Sequence, residues 1–263
     1  MKKIICLIVC MCVVAGTTLI PVYANGSNEK NNFFGNVDTV SYPTTYEGQK
    51  DEILSNRILN EEQKDIALAK LDFAYNIDNE KTRAMKELLN NRSITVVTRN
   101  IPHFVQENNW YCGPATTKQS IHYLNSSSAS QQSIAAAIGT TQSSGSSLVN
   151  MMNYLNARIA IPFLMTSPTD KAHMEHLINF GVGISDMPVI IGVRMNSGQG
   201  WPYTTTSGHF MNVAGQRNPS SIQYYVVDSE VTRRVSTYPT GKYWMGSSSV
   251  YNGLWTNQNR LIW

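Results

Sequence analysis

Residues 109–115 read Asn-Trp-Tyr-Cys-Gly-Pro-Ala, and the interpretation of the whole chain starts from this stretch. Its cysteine, Cys112, stands at the start of a predicted helix that runs from Pro114 to about Leu124, because proline is tolerated in the first turn of a helix. A helix N-terminus carries partial positive charge and free N–H groups, which favour a thiolate over a thiol. Cys112 is therefore the candidate nucleophile.

Thiol catalysis also needs a base, a group that orients the base, and donors for the oxyanion. His209 follows Gly208 at the start of a predicted strand and is the candidate base. Asp228 ends the next predicted strand, and adjacent antiparallel strands would bring its carboxylate to the imidazole and fix the tautomer. Gln106 lies six residues before Cys112 and is the candidate oxyanion donor, together with the Cys112 main-chain N–H.

The N-terminus has the pattern of a secretory signal peptide. Two lysines precede an apolar run over residues 4–14, and residues 22–24, Val-Tyr-Ala, place small residues at −3 and −1 of a cut after residue 24. We therefore predict that residues 1–24 are removed and that the mature protein is secreted, extracellular and not inserted in a membrane. An uncleaved membrane anchor is the alternative, because the apolar run up to Pro21 approaches the shortest membrane span.

The cysteine count separates Cys112 from the rest. The chain has 4 cysteines, and Cys6, Cys10 and Cys12 lie in the predicted signal peptide. Exported proteins normally have paired cysteines or none, because their compartment is oxidising. A single thiol can form an intermolecular disulfide, be an inert buried side chain or be catalytic, and the context of Cys112 favours catalysis.

Charge density divides the rest of the chain near residue 100. Of the 75 residues from 25 to 99, 22 are charged, against 15 of the 164 residues from 100 to 263. We predict a charged, mostly helical segment over residues 25–99 and a catalytic domain over residues 100–263. The segment is either a propeptide, which would inhibit the enzyme intramolecularly until a cut within residues 92–100, or a helical cap that stays attached.

Apolar spacing predicts three helices in the charged segment. The first carries Ile53, Leu54, Ile58 and Leu59 on one face; the second begins after an N-cap at Asn60 and carries Ile66, Leu71, Ala74 and Tyr75; the third is capped by Asp78 and carries Met85, Leu88 and Leu89.

The catalytic domain is predicted to have helices first and an antiparallel sheet afterwards, an α+β fold. After the Cys112 helix, helices are predicted over residues 131–138, ended by Gly139, and 147–155, followed by strands over residues 188–194, 209–215 and 223–228. The net charge is +3, of which Lys2 and Lys3 supply two. Because no basic stripe remains, no nucleic-acid partner is predicted.

The sequence resembles the papain-like cysteine peptidases, and most closely the bacteriocin-leader (double-glycine) peptidase-like family. The resemblance rests on residues 102–106 (Pro-His-Phe-Val-Gln) and 110–115 (Trp-Tyr-Cys-Gly-Pro-Ala), and continues through residues 188–193, 208–210 and 227–229 to Tyr243-Trp244-Met245, Tyr251 and Trp255. It covers residues 100 to 260 and leaves the helical segment unexplained. It implies a papain-like fold, peptide-bond cleavage, Cys112 as nucleophile, His209 as base, Asp228 as orienting group and Gln106 as oxyanion donor. The namesake peptidases are intracellular and fused to a membrane exporter, which this chain lacks, so leader cleavage is not expected.

Other residues admit competing interpretations. His103 and His122 are alternative bases, and His173 and His176 form a His-x-x-His pair for which no third zinc ligand is evident, so a helix surface is the simpler interpretation. Trp110, Gly208 and Trp201 are the candidate substrate-binding residues, and Trp201 could equally anchor a loop. No metal and no cofactor are predicted.

The predicted function is that of a secreted cysteine peptidase that acts on peptide or protein substrates. A cell-wall peptide amidase or an acyltransferase on the same fold is the first alternative, since fold does not determine the acyl group. A non-enzymatic secreted binding or toxin-like module is the second.

Overall fold

The computed structural model describes residues 42–43, 45–91, 96–217 and 221–263. The predicted signal peptide and the start of the charged segment lie outside these residues. So do residues 92–95 of the predicted cleavage stretch and the side chains of Leu88, Leu89 and Trp255.

Within residues 45–91, the described part of the charged segment forms three helices, and two details of the prediction are wrong. The helices are α1 (Tyr46–Ser55), α2 (Glu61–Ala74) and α3 (Glu80–Asn91). Helix α1 ends at Ser55, so Ile58 and Leu59 do not continue its face. Ile53 and Leu59 are buried, whereas Leu54 and Ile58 are exposed to 48% and 36%. The cap of α3 is one residue later than predicted: the Asn79 side chain accepts from the Thr82 N–H, while Asp78 pairs with Arg83.

The Asn60 cap of α2 is confirmed. The Asn60 side chain accepts from the Gln63 N–H at 2.9 Å, and the Gln63 side chain accepts from the Asn60 N–H at 3.0 Å. This reciprocal capping box satisfies two N–H groups that the helix itself leaves unpaired. Leu71 and Ala74 are buried as the spacing predicts.

The helices of the catalytic domain are α4 (Cys112–Asn125), α5 (Gln131–Ile138), α6 (Leu148–Asn156), α7 (Lys171–Ile178), which continues into a π-helix (Asn179–Ile184), α8 (Val231–Arg234) and α9 (Ser247–Trp255). Helices α4, α5 and α6 follow in the predicted order, whereas α8 and α9 were not predicted and lie among the strands of the sheet. The α5 bounds agree with the prediction, and Gly139 ends this helix with φ 67°, a left-handed conformation that glycine adopts without strain.

The strands of the described residues form one sheet in which all pairs are antiparallel. They are β1 (Val96–Thr98), β2 (Met165–Thr166), β3 (Val189–Val193), β4 (His209–Arg217), β5 (Gln223–Val227), β6 (Lys242–Gly246) and β7 (Leu261–Ile262), in the spatial order β2-β7-β3-β4-β5-β6, with β1 paired to β4. Strands β3, β4 and β5 confirm the predicted ones, and the α+β fold class is confirmed. Strands β1, β2, β6 and β7 were not predicted.

A buried polar network fixes helix α4 on strand β4. The Thr116 hydroxyl donates to the Phe210 carbonyl at 3.0 Å, and the Ser120 hydroxyl donates to Asn212 Oδ1 at 2.8 Å. The Asn212 amide donates in turn to the Thr116 carbonyl and to Gln119 Oε1, each at 3.0 Å. Because each buried group in this network is paired, the network sets one position of α4 along the strand. It brings the start of α4 to the start of β4.

Helices α1, α2 and α3 and the catalytic domain form one compact unit. This unit extends from Tyr42 to Trp263. The Lys70 ammonium, which is buried, donates to the main-chain oxygens of Pro162 and Trp263, each at 2.8 Å. The Gln63 amide donates to the Ile159 carbonyl at 2.9 Å, and the Phe73 ring stacks on His176. None of the helices in the described ranges is long and apolar enough to span a bilayer.

Candidate active site

Cys112 is the first residue of α4, two residues earlier than the predicted start. No side chain caps this helix end, so its first N–H groups stay available at the thiol. The main-chain N–H groups of Gly113 and Phe210 donate to the Cys112 sulfur. Gly113 has no room for a side chain, because a Cβ there would overlap the Ser146 side chain. The thiol thus lies where α4, β4 and the loop containing Ser146 meet.

His209 and Asp228 lie together, as the strand prediction required. His209 is the first residue of β4, and Asp228 follows the last residue of β5. His209 Nε2 and Asp228 Oδ1 are 2.8 Å apart, and the two side chains are 6% and 0% exposed. A buried charge of either sign is costly unless it is paired, so the two groups stabilise each other's ionised form.

The second imidazole nitrogen serves the thiol. The side chains of His209 and Cys112 interact, and because Nε2 is bound to Asp228, Nδ1 is the ring nitrogen that remains for the sulfur. A His between an acid and a thiol can hold the proton that the thiol gives up. The structure therefore brings the three predicted triad residues into one chain of contacts.

The electrostatics of this chain favour a thiolate and an imidazolium. Burial alone would raise the pKa of the Cys112 thiol, but the hydrogen bond and the charge of His209 outweigh it, and the pKa lies below its ordinary value. Burial would lower the pKa of His209, but the Asp228 charge and hydrogen bond raise it to about 10. Burial also opposes ionisation of Asp228, yet His209 and the surrounding donors hold its pKa below the ordinary value.

Asp228 has further donors that the sequence did not reveal. Its Oδ1 accepts from the Glu230 N–H at 2.9 Å, and its Oδ2 accepts from the Tyr243 hydroxyl at 2.9 Å. The Tyr203 hydroxyl lies 3.1 Å from Oδ1 and 2.9 Å from Oδ2. Tyr243 lies in β6, and Tyr203 in the loop before β4. Nothing in the local sequence around either tyrosine indicates a site, because both come to Asp228 only through the sheet and its connections.

Gln106 is buried beside the triad and its amide is held in place. The Ser229 hydroxyl donates to Gln106 Oε1 at 3.1 Å, and the Gln106 main-chain N–H donates to the Ser229 carbonyl at 3.0 Å. The Nε2 group donates one proton to the Asn108 carbonyl at 3.0 Å and has a second proton to give. Ser229 follows Asp228 directly, so one short segment positions both Asp228 and Gln106, the predicted orienting carboxylate and the predicted oxyanion donor.

The alternative bases lie in structural contacts. His103 Nε2 is 2.9 Å from the Asp228 carbonyl oxygen, which ties the segment before Gln106 to β5. His122 contacts Ser128 at 3.3 Å and packs edge-on against Phe104. Neither ring contacts the thiol.

His173 and His176 lie on α7, so the prediction of a helix is confirmed, but both side chains are half-buried and do not lie on an open helix surface. His176 stacks on Phe73 of α2, with ring centroids 4.1 Å apart. Within the described ranges, no cluster of three or more His, Cys, Asp or Glu side chains has an arrangement that could hold a metal ion.

The three predicted substrate-binding residues have different surroundings. Trp110 is half-buried with its ring edge-on to Tyr111, directly before Cys112. Gly208 is exposed beside His209, and its position leaves no room for a Cβ because the Asn257 amide lies there. Trp201 is half-buried and packs on Gly253 of α9, which is the contact of a loop anchor. Substrate contact by these residues stays a prediction.

The model of the Peptidase_C39 like family matches residues 98–257. None of the curated proteins compared with the chain matches it. The crystal structure of the Amb a 11 cysteine protease in its proform, a major ragweed pollen allergen, aligns with a TM-score of 0.45 and 10% sequence identity over 83% of this chain and 92% of that one.

Proposed function

The chain belongs to the Peptidase_C39 like family and is a cysteine-type peptidase, and on this premise we propose that it cleaves peptide bonds with Cys112, His209, Asp228 and Gln106. The observation that carries this proposal is the continuous chain of contacts from the Cys112 sulfur through His209 to Asp228, at the N-terminus of α4.

Each proposed step follows from this geometry. The Cys112 thiolate attacks the substrate carbonyl carbon, and the oxyanion that forms accepts hydrogen bonds from the Cys112 N–H and from Gln106 Nε2. The imidazolium of His209 gives its Nδ1 proton to the leaving amine, and the C–N bond breaks to leave an acyl-enzyme. A water molecule then attacks the thioester carbonyl, His209 takes its proton, and the acid product leaves as the thiolate is restored. Asp228 holds the imidazole in the tautomer that these transfers need.

We further propose that the enzyme works outside the cell. The basic start, apolar run and Val-Tyr-Ala cleavage site of residues 1–24 support export. The peptide or protein substrate would then be extracellular, and Trp110, Gly208 and Trp201 remain proposed contacts for it. Double-glycine leader peptides are not proposed, because they are processed inside cells.

We propose that the helices of residues 42–91 stay attached as a cap and are not an inhibitory propeptide. The buried Lys70 ammonium and Gln63 amide join this segment to main-chain oxygens of residues 159–162 and 263. Removal of the segment would break these hydrogen bonds and expose apolar side chains that it covers, such as Phe180 beneath Phe73, and exposure of apolar surface to water is costly. Mass spectrometry of the secreted protein tests this: an N-terminus near residue 25 is expected, and one beyond residue 91 contradicts the proposal.

The proposed activity is tested by protein hydrolysis. Cys112→Ala, or prior treatment of the wild type with iodoacetamide, should abolish hydrolysis of unfolded casein, with a loss on the order of 10⁴-fold or more. Cys112→Ser shows whether a hydroxyl can replace the thiol while the fold is kept. Full activity of Cys112→Ala would contradict the proposal. Hydrolysis of purified peptidoglycan with casein left intact would instead favour the amidase alternative.

A further inference from the structure

The loop between β3 and β4 reaches the catalytic pair through one side chain. The Tyr203 hydroxyl lies 2.9 Å from Asp228 Oδ2, 3.1 Å from Oδ1 and 3.4 Å from His209 Nε2. It therefore lies at the junction of the His209–Asp228 hydrogen bond and touches both partners. Of the tyrosine hydroxyls that donate to Asp228 among the described residues, this one comes from a loop, while Tyr243 comes from a strand.

The two tyrosines hold different sides of the carboxylate. Tyr243 is 4% exposed and contacts Oδ2 alone, so it supports Asp228 from inside the sheet. Tyr203 is half-buried and shares its one proton between both oxygens. Burial, followed by the Asp228 charge, raises the pKa of the Tyr203 hydroxyl far above its ordinary value, so this group stays protonated and donates.

The loop is closed at its base and packed at its tip. The Thr205 N–H donates to the Met195 carbonyl at 2.9 Å, and the Met195 N–H donates to the Thr205 hydroxyl at 3.1 Å. Trp201, two residues before Tyr203, packs on Gly253 of α9, where a Cβ would lie 3.1 Å from its ring. These contacts hold the Tyr203 ring beside the pair, with its centroid 6.3 Å from that of the His209 ring and an angle of 71° between the ring planes.

We propose that Tyr203 is a positioning residue that orients Asp228 and screens the His209–Asp228 pair from water. The inference rests on the proposed triad. The Tyr203 hydroxyl fixes both carboxylate oxygens, so the imidazole that Oδ1 holds keeps one orientation toward the thiol. The ring covers the pair, and exclusion of water strengthens the attraction that keeps the imidazolium charged.

The two parts of this role are separated by two substitutions. Tyr203→Phe removes the hydroxyl and keeps the ring, so kcat should fall about tenfold with KM unchanged, because the imidazole is less firmly oriented. Tyr203→Ala removes the cover as well, so kcat should fall further. The alkaline limb of the kcat/KM profile should then move to lower pH by about one unit, because water weakens the attraction between Asp228 and the imidazolium.

Tyr225→Phe is the matched control. Tyr225 is half-buried and packs on Trp244 on the sheet, and Phe at this position should leave kcat, KM and both pH limbs unchanged. Thermal unfolding of all variants shows whether a loss of rate is a loss of fold. The proposal is wrong if Tyr203→Phe has the wild-type kcat and Tyr203→Ala has the wild-type alkaline limb in its kcat/KM profile. It is also wrong if the substitutions change KM alone, because Tyr203 would then be a substrate contact. If the wild type has cysteine-dependent activity, a negative result with the Tyr203 variants contradicts the role of Tyr203 and not the proposed triad.

Discussion

At the scale of single residues, the site combines a reactive pair with groups that hold it. Cys112 and His209 carry the proposed chemistry, and Asp228 receives donors from Tyr203, Tyr243 and the Glu230 main chain. A buried carboxylate with several donors stays ionised, and an ionised carboxylate keeps the imidazole charged. These donors therefore favour ionisation of the Cys112 thiol indirectly, through Asp228 and then His209.

Gln106 gives the sharpest prediction at this scale. Gln106→Glu keeps the size of the side chain but replaces its N–H donors with oxygen acceptors, so kcat should fall by about 10²-fold to 10³-fold while KM changes little. Steady-state kinetics on a peptide substrate measure both constants. Gln106→Ala should lose kcat to a similar extent.

The Gln106 prediction has a structural control in Gln131. The Gln131 amide donates to the Val105 carbonyl, and its oxygen accepts from the Glu107 N–H. These two hydrogen bonds fix the main chain on both sides of Gln106, and neither is made to a residue of the proposed triad. Gln131→Glu should lower thermal stability more than Gln106→Glu does and kcat much less. Equal kcat losses in both variants would show that Gln106 acts only by supporting the segment.

The four candidate site residues could be predicted from the sequence, but the tyrosines that donate to Asp228 could not. Cys112, His209, Asp228 and Gln106 could be predicted because each lies beside a local signal: a helix start, a glycine before a strand, the end of a strand, or a fixed spacing. Tyr203 and Tyr243 have no such signal. They meet Asp228 through hydrogen bonds that span 25 and 15 residues, and contacts of that kind depend on the pairing of β5 with β4 and β6.

At the scale of elements, helices with clear capping signals could be predicted, and two-residue strands could not. Helix α2 has a capping box at Asn60, and α5 has Ser130 and Gly139 at its ends, so local chemistry sets their bounds. Strands β2 and β7 have two residues each and exist because they pair with each other. Two residues carry no periodicity, so such strands follow from the tertiary structure alone.

The packing of α2 against α7 predicts an effect of pH on stability. Burial first, and then the charges of His173 and Lys86, lower the pKa of His176 to about 4, while the Phe73 carbonyl acts in the opposite direction. A histidine whose pKa is lower in the folded state binds its proton more readily when unfolded. Its contribution to stability is therefore full above about pH 6.5, the ordinary pKa of histidine, and is lost as the pH falls toward about 4.

His176→Phe tests this effect. The substitution keeps a ring to stack on Phe73 but removes the titrating group, so the melting temperature should fall less between pH 6.5 and pH 4 than in the wild type. His122→Phe is the control, since His122 packs against Phe104 in the catalytic domain. If the melting temperatures of the wild type and of His176→Phe fall by the same amount between pH 6.5 and pH 4, protonation of His176 does not contribute to the pH dependence of stability.

At the scale of the whole molecule, the sheet and the helices meet at the thiol. Helix α4 brings Cys112, strands β4 and β5 bring His209 and Asp228, and the segment before α4 brings Gln106. The N-terminal helices pack elsewhere: their buried hydrogen bonds go to main-chain oxygens of residues 159, 162 and 263. The fold therefore assembles the site from four distant parts of the chain while the proposed cap stabilises the unit from another side.

The rate of Cys112 alkylation by iodoacetamide, followed from pH 5 to pH 10 by peptide mass spectrometry, tests the proposed thiolate–imidazolium pair most directly. The His209 charge lowers the Cys112 pKa, so the wild type should stay reactive below about pH 8.5, where an ordinary thiol is half ionised. His209→Ala should move the midpoint up to that value or beyond, because burial then acts on the thiol without an opposing charge. An identical midpoint near pH 8.5 in both proteins would contradict the pair.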